Sequence, residues 1–201
     1  MKRRVLRTGV FGGTFDPVHI GHLIIAEEAV ARLRLERVLF VPASRPAHKR
    51  ARAITPMEHR VAMLRIATKG NDRFHVSRIE AGRAGISFTA HTLDALRRRG
   101  AGDLYFIMGQ DSLEEFHSWR DPDRIARLAR LVVFPRGEGE LSSLGPSLRR
   151  RVLFLHPPRI GISSTEIRRR LRRGLSVRYW MPDRVLAYVK RHGLYGTRAR
   201  G

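Results

Sequence analysis

Residues 12–22 read Gly-Gly-Thr-Phe-Asp-Pro-Val-His-Ile-Gly-His, and this stretch constrains the fold more than any other part of the chain. It follows an apolar run, Val5–Phe11, and precedes apolar residues at helical spacing from Leu23 onward. A strand is therefore predicted to pass through a glycine turn into a helix. Without a Cβ at Gly12 and Gly13, the backbone can approach a ligand closely. Amide N–H groups at a helix start carry partial positive charge, so the sequence predicts an anion site here.

The same stretch contains two histidines, His19 and His22, three positions apart. At the start of a helix this spacing places both imidazoles on one face, where they can reach a single phosphate chain. Gly21 leaves space between them, and Pro17 favours a turn before them. A lone histidine would be interpreted as a helix cap or a packed side chain, but this combination favours a phosphate site.

The eleven residues resemble the signature of the adenylyltransferases that share an H-x-G-H element with class I aminoacyl-tRNA synthetases. The full form resembles the bacterial nicotinate-mononucleotide adenylyltransferase family. The resemblance implies transfer of the adenylyl group of ATP to nicotinate mononucleotide, giving deamido-NAD and pyrophosphate. It implies catalytic roles for His19 and His22 and mononucleotide binding by Asp16. ATP or its phosphates would contact Gly12, Gly13, Thr14, Phe15 and Gly21.

A second motif, Ile-Ser-Ser-Thr-Glu-Ile-Arg, occupies residues 162–168. Ser163 and Glu166 have the spacing of a capping box and predict a helix start. The free N–H groups, neighbouring hydroxyls and Arg168 would form a second anion site. The motif resembles the I-S-S-T-x-I-R element that holds ATP phosphates in the same family. This resemblance implies a catalytic role for Arg168 and ATP contacts for Ile162, Ser163, Ser164 and Thr165.

Further site residues follow from the resemblance. The loop after the second predicted strand usually reads P-P-H-K in the family, and here Ala47 replaces a proline before His48 and Lys49. His48 would contact the mononucleotide and Lys49 a phosphate. Thr89 and the backbone around Trp119 would contact the nicotinate ring and its carboxylate. The remaining predicted nucleotide contacts are Gly109, Asp111, which would lie near a ribose, and Arg136.

The rest of the chain alternates between predicted strands and helices. Strands are predicted at 37–41, 74–76, 103–108, 131–134 and 152–155, and helices after Thr55, over 89–99, after Gly109, over 122–128 and from 163 to 173. Thr55, Pro56 and Glu58 have the pattern of a capping box. Residues 136–151 are interpreted as a mobile loop. The alternation predicts an α/β fold with a doubly wound parallel sheet and its site at the carboxyl ends of the strands. We expect one Rossmann-like domain, 1–201, whose C-terminal helical part, 162–195, carries the second phosphate motif.

The charge balance is strongly basic, with 40 Lys and Arg against 18 Asp and Glu and a net charge of +22. Such a charge can bind nucleic acid, but the arginines lie on almost every predicted helix face instead of in one stripe, so no specific nucleic-acid partner is expected. The chain has no cysteine, and neither a signal peptide nor a membrane span is predicted. We expect a cytoplasmic protein and leave a homo-oligomer open. Mg²⁺ is expected to arrive with ATP, without a protein metal site.

Three alternatives stay open at this stage. Phosphopantetheine adenylyltransferase and nicotinamide-mononucleotide adenylyltransferase would use similar phosphate elements, and the residues around Thr89 and Trp119 argue against the first. A tRNA-binding module derived from a synthetase is the alternative outside these enzymes. It would need a lysine-rich K-M-S-K-S loop where residues 163–168 stand.

Overall fold

The computed structural model describes residues 5–44, 54–81, 88–135, 150–156, 158 and 160–197. Six strands form one parallel sheet: β1 (Arg7–Gly13), β2 (Arg37–Pro42), β3 (Phe74–Val76), β4 (Asp103–Gly109), β5 (Ala129–Phe134) and β6 (Val152–Phe154). Their order is β3-β2-β1-β4-β5-β6, and every pair is parallel. The predicted doubly wound α/β sheet is confirmed.

In the described parts of the chain, seven α-helices accompany the sheet: α1 (Ile20–Leu33), α2 (Met57–Thr68), α3 (Thr89–Arg98), α4 (Gln110–Glu114), α5 (Pro122–Leu128), α6 (Ser164–Arg172) and α7 (Asp183–Arg191). Buried residues of α1, α2, α6 and α7 form one apolar core, and those of α3, α4 and α5 form another. Along β4, Phe106 belongs to the second core and its neighbour Ile107 to the first. Side chains alternate between the two faces of a strand, so helices cover both faces of this sheet.

The strand order reverses between β1 and β4, which are neighbours in the sheet. Parallel α/β sheets bind their ligands at such a reversal, beyond the carboxyl ends of the strands. Gly13 ends β1 and Gly109 ends β4, so both predicted glycine positions lie at this crevice.

Two local predictions were wrong. Strand β1 continues to Gly13, so Gly12 and Gly13 pair with β2 as strand residues instead of forming a turn. Helix α2 begins at Met57 with Pro56 as its N-cap, and Thr55 makes no capping bond. The Thr55 N–H donates instead to the Asp16 carboxylate, 3.3 Å away, so a tertiary contact replaces the local one.

Candidate active site

The two histidines of the first motif form a stacked pair at the start of α1. Their ring centroids are 3.7 Å apart with an interplanar angle of 29°. The backbone N–H of His19 donates to Nδ1 of His22 at 3.2 Å. Because that nitrogen accepts a hydrogen bond, the proton of the neutral His22 ring lies on Nε2. This bond fixes the orientation of the His22 ring.

Gly21 makes room for this pair. A Cβ at position 21 would lie 3.1 Å from Nδ1 and 3.2 Å from Cε1 of His19, closer than a Cβ usually approaches another atom. His19 itself is buried at 5% exposure, so its ring has little freedom to move away. The predicted role of Gly21 in leaving space beside the histidines therefore has a specific steric cause.

Residues 12–19, which we call the phosphate loop, turn several side chains inward. Phe15 is 2% exposed, and its ring packs edge-on against Phe11 and His22 at centroid distances of 5.4 and 5.0 Å. The buried side chain leaves the backbone of Phe15 as the part that can face a ligand, and the predicted ATP contact stays a prediction. A Cβ on Gly13 would meet the Phe15 ring at 2.9 Å, so this glycine is needed for ring packing.

Asp16, the next residue of the phosphate loop, is also buried. Its side chain is 3% exposed, and its two carboxylate oxygens accept hydrogen bonds from the Tyr195 hydroxyl at 2.7 Å and the Thr55 N–H at 3.3 Å. The carboxylate thus has its hydrogen-bond partners within the protein, as buried polar groups usually do. The predicted contact of Asp16 with the mononucleotide stays a prediction.

The first backbone amides of α1 are also engaged within the protein. The Ile20 N–H donates to the carbonyl of Trp180 at 3.0 Å, and the His19 N–H is bound by His22. The prediction that these amides face the ligand is therefore corrected. At this helix start, the binding of an anion by the two imidazoles stays a prediction.

The second motif docks directly on the phosphate loop. The Ser164 hydroxyl donates to the Pro17 carbonyl at 2.8 Å, and Nη1 of Arg168 donates to the Asp16 carbonyl at 2.6 Å. The two predicted phosphate elements thus meet in space. The hydroxyl proton of Ser164 is used in this contact. The donor that Ser164 could still present to a phosphate is therefore its backbone N–H, in the first turn of α6.

The other residues of the second motif differ in the hydrogen bonds that they make within the protein. Ser163 is the N-cap of α6 and accepts from the Glu166 N–H at 3.2 Å, which leaves its own hydroxyl proton able to donate. The Glu166 carboxylate does not complete the predicted capping box, because it accepts two 2.6 Å hydrogen bonds from Arg169. These bonds lower the pKa of Glu166. Thr165 accepts from Nη2 of Arg168 at 3.3 Å, and Ile162 packs against the apolar core.

A cavity of about 370 Å³ opens beside the phosphate loop, between the ends of β1 and β4 and the start of α3. This volume is in the range of small-molecule sites. The predicted site residues on its wall are Gly12, Gly13, Thr14, Thr89 and Trp119. Gly109 and Asp111 lie close by, as the N-cap of α4 and an exposed residue of its first turn.

Aromatic rings dominate the far wall of this cavity. The Trp119 ring lies 5.6 Å from Phe116 and 6.1 Å from Phe106 by centroid distance. Its indole Nε1 is buried and has no acceptor among the described residues, so it is a donor suited to a ligand. The Trp119 backbone N–H is engaged with the Phe116 carbonyl at 3.1 Å, so the predicted backbone contact at this residue falls to the side chain.

Three further residues at the site were missed in the sequence. Arg120 lies at the cavity wall, with its guanidinium carbon 4.7 Å from the centroid of the Phe88 ring. Glu80 also lines the cavity at 7% exposure, and its carboxylate accepts from the Thr92 hydroxyl at 2.7 Å and the Ser44 N–H at 3.4 Å. No short motif around Arg120 or Glu80 distinguishes them from surface charges.

Arg60 is the third residue missed, and it lies beneath the phosphate loop. It is 1% exposed and donates to the Thr14 carbonyl and the Thr55 carbonyl, both at 2.9 Å. Burial lowers the pKa of Arg60, and the nearby Asp16 carboxylate opposes that effect. Its only sequence signal is a position within the buried face of α2, beside Val61 and Leu64.

Some predictions lie outside the described residues, namely those for His48, Lys49, Arg136 and, up to residue 149, the loop 136–151. Within the described ranges, no cluster of three or more His, Cys, Asp or Glu side chains could hold a metal ion. The helices found there are all too short or too polar to cross a membrane.

Comparison with known proteins gives consistent matches. Residues 10–170 match the cytidylyltransferase-like family. The probable nicotinate-nucleotide adenylyltransferase of Thermomicrobium roseum is 46% identical over 197 residues, covering 95% of this chain and 92% of the relative. That of Thermus thermophilus is 44% identical over 191 residues, covering 94% of this chain and 100% of the relative.

Solved structures agree on the fold. The nicotinic acid mononucleotide adenylyltransferase of Plasmodium falciparum complexed with NaAD gives a TM-score of 0.78 at 17% identity, covering 94% of this chain and 97% of that chain. At that identity the likeness supports the architecture alone. The family model and the relatives in sequence show more: this chain belongs to the cytidylyltransferase-like family and, within it, to the nicotinate-nucleotide adenylyltransferases.

Proposed function

We propose that this protein transfers the adenylyl group of ATP to nicotinate mononucleotide, giving nicotinate adenine dinucleotide and pyrophosphate in NAD biosynthesis. The observation that carries the proposal is the docking of the second motif on the phosphate loop through Ser164 and Arg168. Two anion-binding elements thereby stand together at the strand-order reversal, beside a cavity of about 370 Å³. Family membership points to the same reaction.

The reaction needs no nucleophile from the protein. A phosphate oxygen of the mononucleotide attacks the α-phosphorus of ATP in line, and the bond from that phosphorus to the pyrophosphate oxygen breaks. The attacking phosphate is already ionised, so neither histidine has to remove a proton. The protein aligns the two substrates and neutralises the charge that develops on the leaving pyrophosphate.

The charge-stabilising groups are those of the two motifs. His22 offers Nε2–H, because its Nδ1 is occupied by the His19 amide. The Ser163 hydroxyl, the first amides of α6 and the guanidinium of Arg168 would bind the phosphate chain from the other side. Lys49 and Arg136 are proposed to add positive charge, His48 to contact the mononucleotide, and Gly109 and Asp111 to lie near the nucleotide.

The nicotinate ring is proposed to occupy the aromatic end of the cavity. The Trp119 indole would contact the ring, and its buried Nε1–H is a donor for an acceptor on the ligand. Thr89, at the first turn of α3, offers its hydroxyl and backbone N–H to the carboxylate. The cationic Arg120 favours an acid over an amide at this wall, while the two donors to Glu80 hold that carboxylate in place.

Enzymes of this class use ATP with a divalent metal ion, and we propose Mg²⁺ here. The described residues lack a cluster of metal ligands, which fits an ion held mainly by phosphate oxygens. When bound, such an ion neutralises phosphate charge. A cytoplasmic location, a single domain over 1–201 and assembly into a homo-oligomer stay predictions.

The decisive experiment is a pyrophosphate-release assay with ATP, Mg²⁺ and a set of acceptors: nicotinate mononucleotide, nicotinamide mononucleotide and phosphopantetheine. Charge-assisted hydrogen bonds that recognise a carboxylate are lost with the amide, so we expect at least about a hundredfold higher kcat/KM for the nicotinate form. A preference for the amide, or for phosphopantetheine, would overturn the proposed substrate while leaving adenylyl transfer intact.

A further inference from the structure

We propose that Tyr195 is a positioning residue, which holds the phosphate loop through Asp16 in the pose that adenylyl transfer needs. The proposal rests on the function proposed above. The Tyr195 hydroxyl donates a 2.7 Å hydrogen bond to Oδ1 of Asp16, 179 positions earlier in the chain. Tyr195 does not line the cavity, so its influence on the reaction would pass through this contact.

Asp16 is a suitable point from which to hold the loop. It lies three positions before His19, and its side chain is 3% exposed. The Asp16 backbone carbonyl accepts from Arg168, so the same residue touches both phosphate motifs. A change in the position of Asp16 would therefore move the loop relative to Arg168 and the histidine pair.

Tyr195 is itself held in an unusual conformation. It lies in a 3₁₀ turn, Leu194–Gly196, with φ of 59°, a left-handed value that residues with a side chain rarely adopt. Burial, with the neighbouring Asp16 carboxylate, raises the pKa of its phenol. The hydroxyl therefore stays protonated and able to donate over the whole range in which the enzyme would be assayed.

Other contacts hold the neighbouring residues of the phosphate loop. Arg60 fixes the Thr14 carbonyl from within α2, and Ser164 fixes the Pro17 carbonyl from α6. Between them, the Asp16 carboxylate is a buried charge, and its shorter hydrogen bond comes from Tyr195. A buried charge that loses a donor tends to move towards other donors or towards water.

The test compares Tyr195→Phe with Tyr188→Phe. The Tyr188 hydroxyl lies 2.9 Å from Nδ1 of His59, so each variant removes one hydroxyl that links the C-terminal segment to an earlier element. For Tyr195→Phe we expect kcat to fall about tenfold with the KM for the mononucleotide within about twofold, because alignment is lost while the ring pocket is kept. Tyr188→Phe should keep the wild-type kcat at a similar cost in stability.

Two further measurements separate positioning from general destabilisation. Amide hydrogen exchange over residues 12–19 should quicken in Tyr195→Phe and not in Tyr188→Phe. In an Asp16→Asn background, Tyr195→Phe should lower kcat little further, because its effect acts through the carboxylate. The proposal would be overturned if Tyr195→Phe kept the wild-type kcat and exchange rates, or if both tyrosine variants lost kcat equally. It would also be overturned if the kcat losses of Asp16→Asn and Tyr195→Phe multiplied fully in the double variant. A wild-type protein without adenylyl-transfer activity would instead refute the proposed function. The exchange measurement would still test the contact between Tyr195 and the phosphate loop, because it needs no turnover.

Discussion

The Ser164 hydroxyl and the Pro17 carbonyl oxygen lie 2.8 Å apart, although 147 positions separate the two residues in sequence. This bond joins the start of α6 to the phosphate loop, and Arg168 adds a second bond one turn later. The relative geometry of the two motifs therefore depends on the contact between them, and we propose that they bind phosphate together.

Removing this contact should lower activity. Ser164→Ala keeps the helix but deletes the donor to Pro17, so we expect kcat/KM for ATP to fall about tenfold as the motifs lose alignment. Ser176→Ala is the matched control, because its side-chain oxygen accepts from the Arg178 N–H at an exposed position away from the two motifs. Steady-state kinetics with ATP varied would check this, and equal constants for the two variants would contradict it.

Loss of the oriented imidazole should have a larger effect. His22→Ala removes the donor directed by the His19 amide, and we expect kcat to fall on the order of a hundredfold, corresponding to about 3 kcal/mol in the barrier. His75→Ala, at an exposed position of β3, should leave kcat unchanged. Near-normal turnover in His22→Ala would remove the phosphate-binding role from this residue.

Gly21→Ala should separate activity from stability. The added Cβ would press against the His19 ring at 3.1 to 3.2 Å, and the displaced imidazole should cost about tenfold in kcat. Alanine is the better helix former by about 1 kcal/mol, so the free energy of unfolding should not fall in parallel. Gly161→Ala, where a Cβ meets nothing within 4 Å, serves as the control. Thermal unfolding measured beside kcat tests both halves of the expectation.

Arg120 should contribute to substrate choice. In Arg120→Ala the cavity wall loses a positive charge, and kcat/KM for nicotinate mononucleotide should fall about tenfold while that for the amide changes by less than about twofold. Arg124→Ala removes the same charge from a residue whose guanidinium lies 3.3 Å from Asp94, and it should alter neither constant. If Arg120→Ala lowered kcat/KM equally for both substrates, this residue would not contribute to the choice between acid and amide.

Tyr195 should also affect stability at high pH. Its pKa is raised in the folded protein, so above about pH 10 the unfolded phenol loses its proton while the folded one keeps it. The stabilising contribution is thus fully present below pH 10 and declines as pH rises, by up to about 1.4 kcal/mol per pH unit. The free energy of unfolding of the wild type should therefore fall more steeply from pH 9 to 11 than that of Tyr195→Phe. Identical slopes in denaturant titrations would show that this phenol titrates alike in both states.

The sequence predicted the sheet and both phosphate motifs because these depend on local patterns. Apolar strands, glycine at a strand end and a helix start at Ser163 are each specified within a few residues. Arg60 and Glu80 could not be predicted, since charged residues are usually exposed and their burial depends on distant carbonyl and hydroxyl partners. The bond between Asp16 and Tyr195 could not be predicted either, because the two residues lie 179 positions apart.

The bond between Asp16 and Tyr195 also has a consequence for biosynthesis of the chain. The glycine motif emerges first from the ribosome, whereas α6 and the 3₁₀ turn at Leu194–Gly196 emerge among the last described elements. Contacts this distant in sequence form late, because the intervening chain must first be ordered. A nascent polypeptide could therefore complete much of the sheet while its histidine pair still lacked support from both C-terminal segments. We expect adenylyl transfer to rise once Tyr195 has emerged from the ribosome, which assays of stalled complexes carrying C-terminal extensions of increasing length would test.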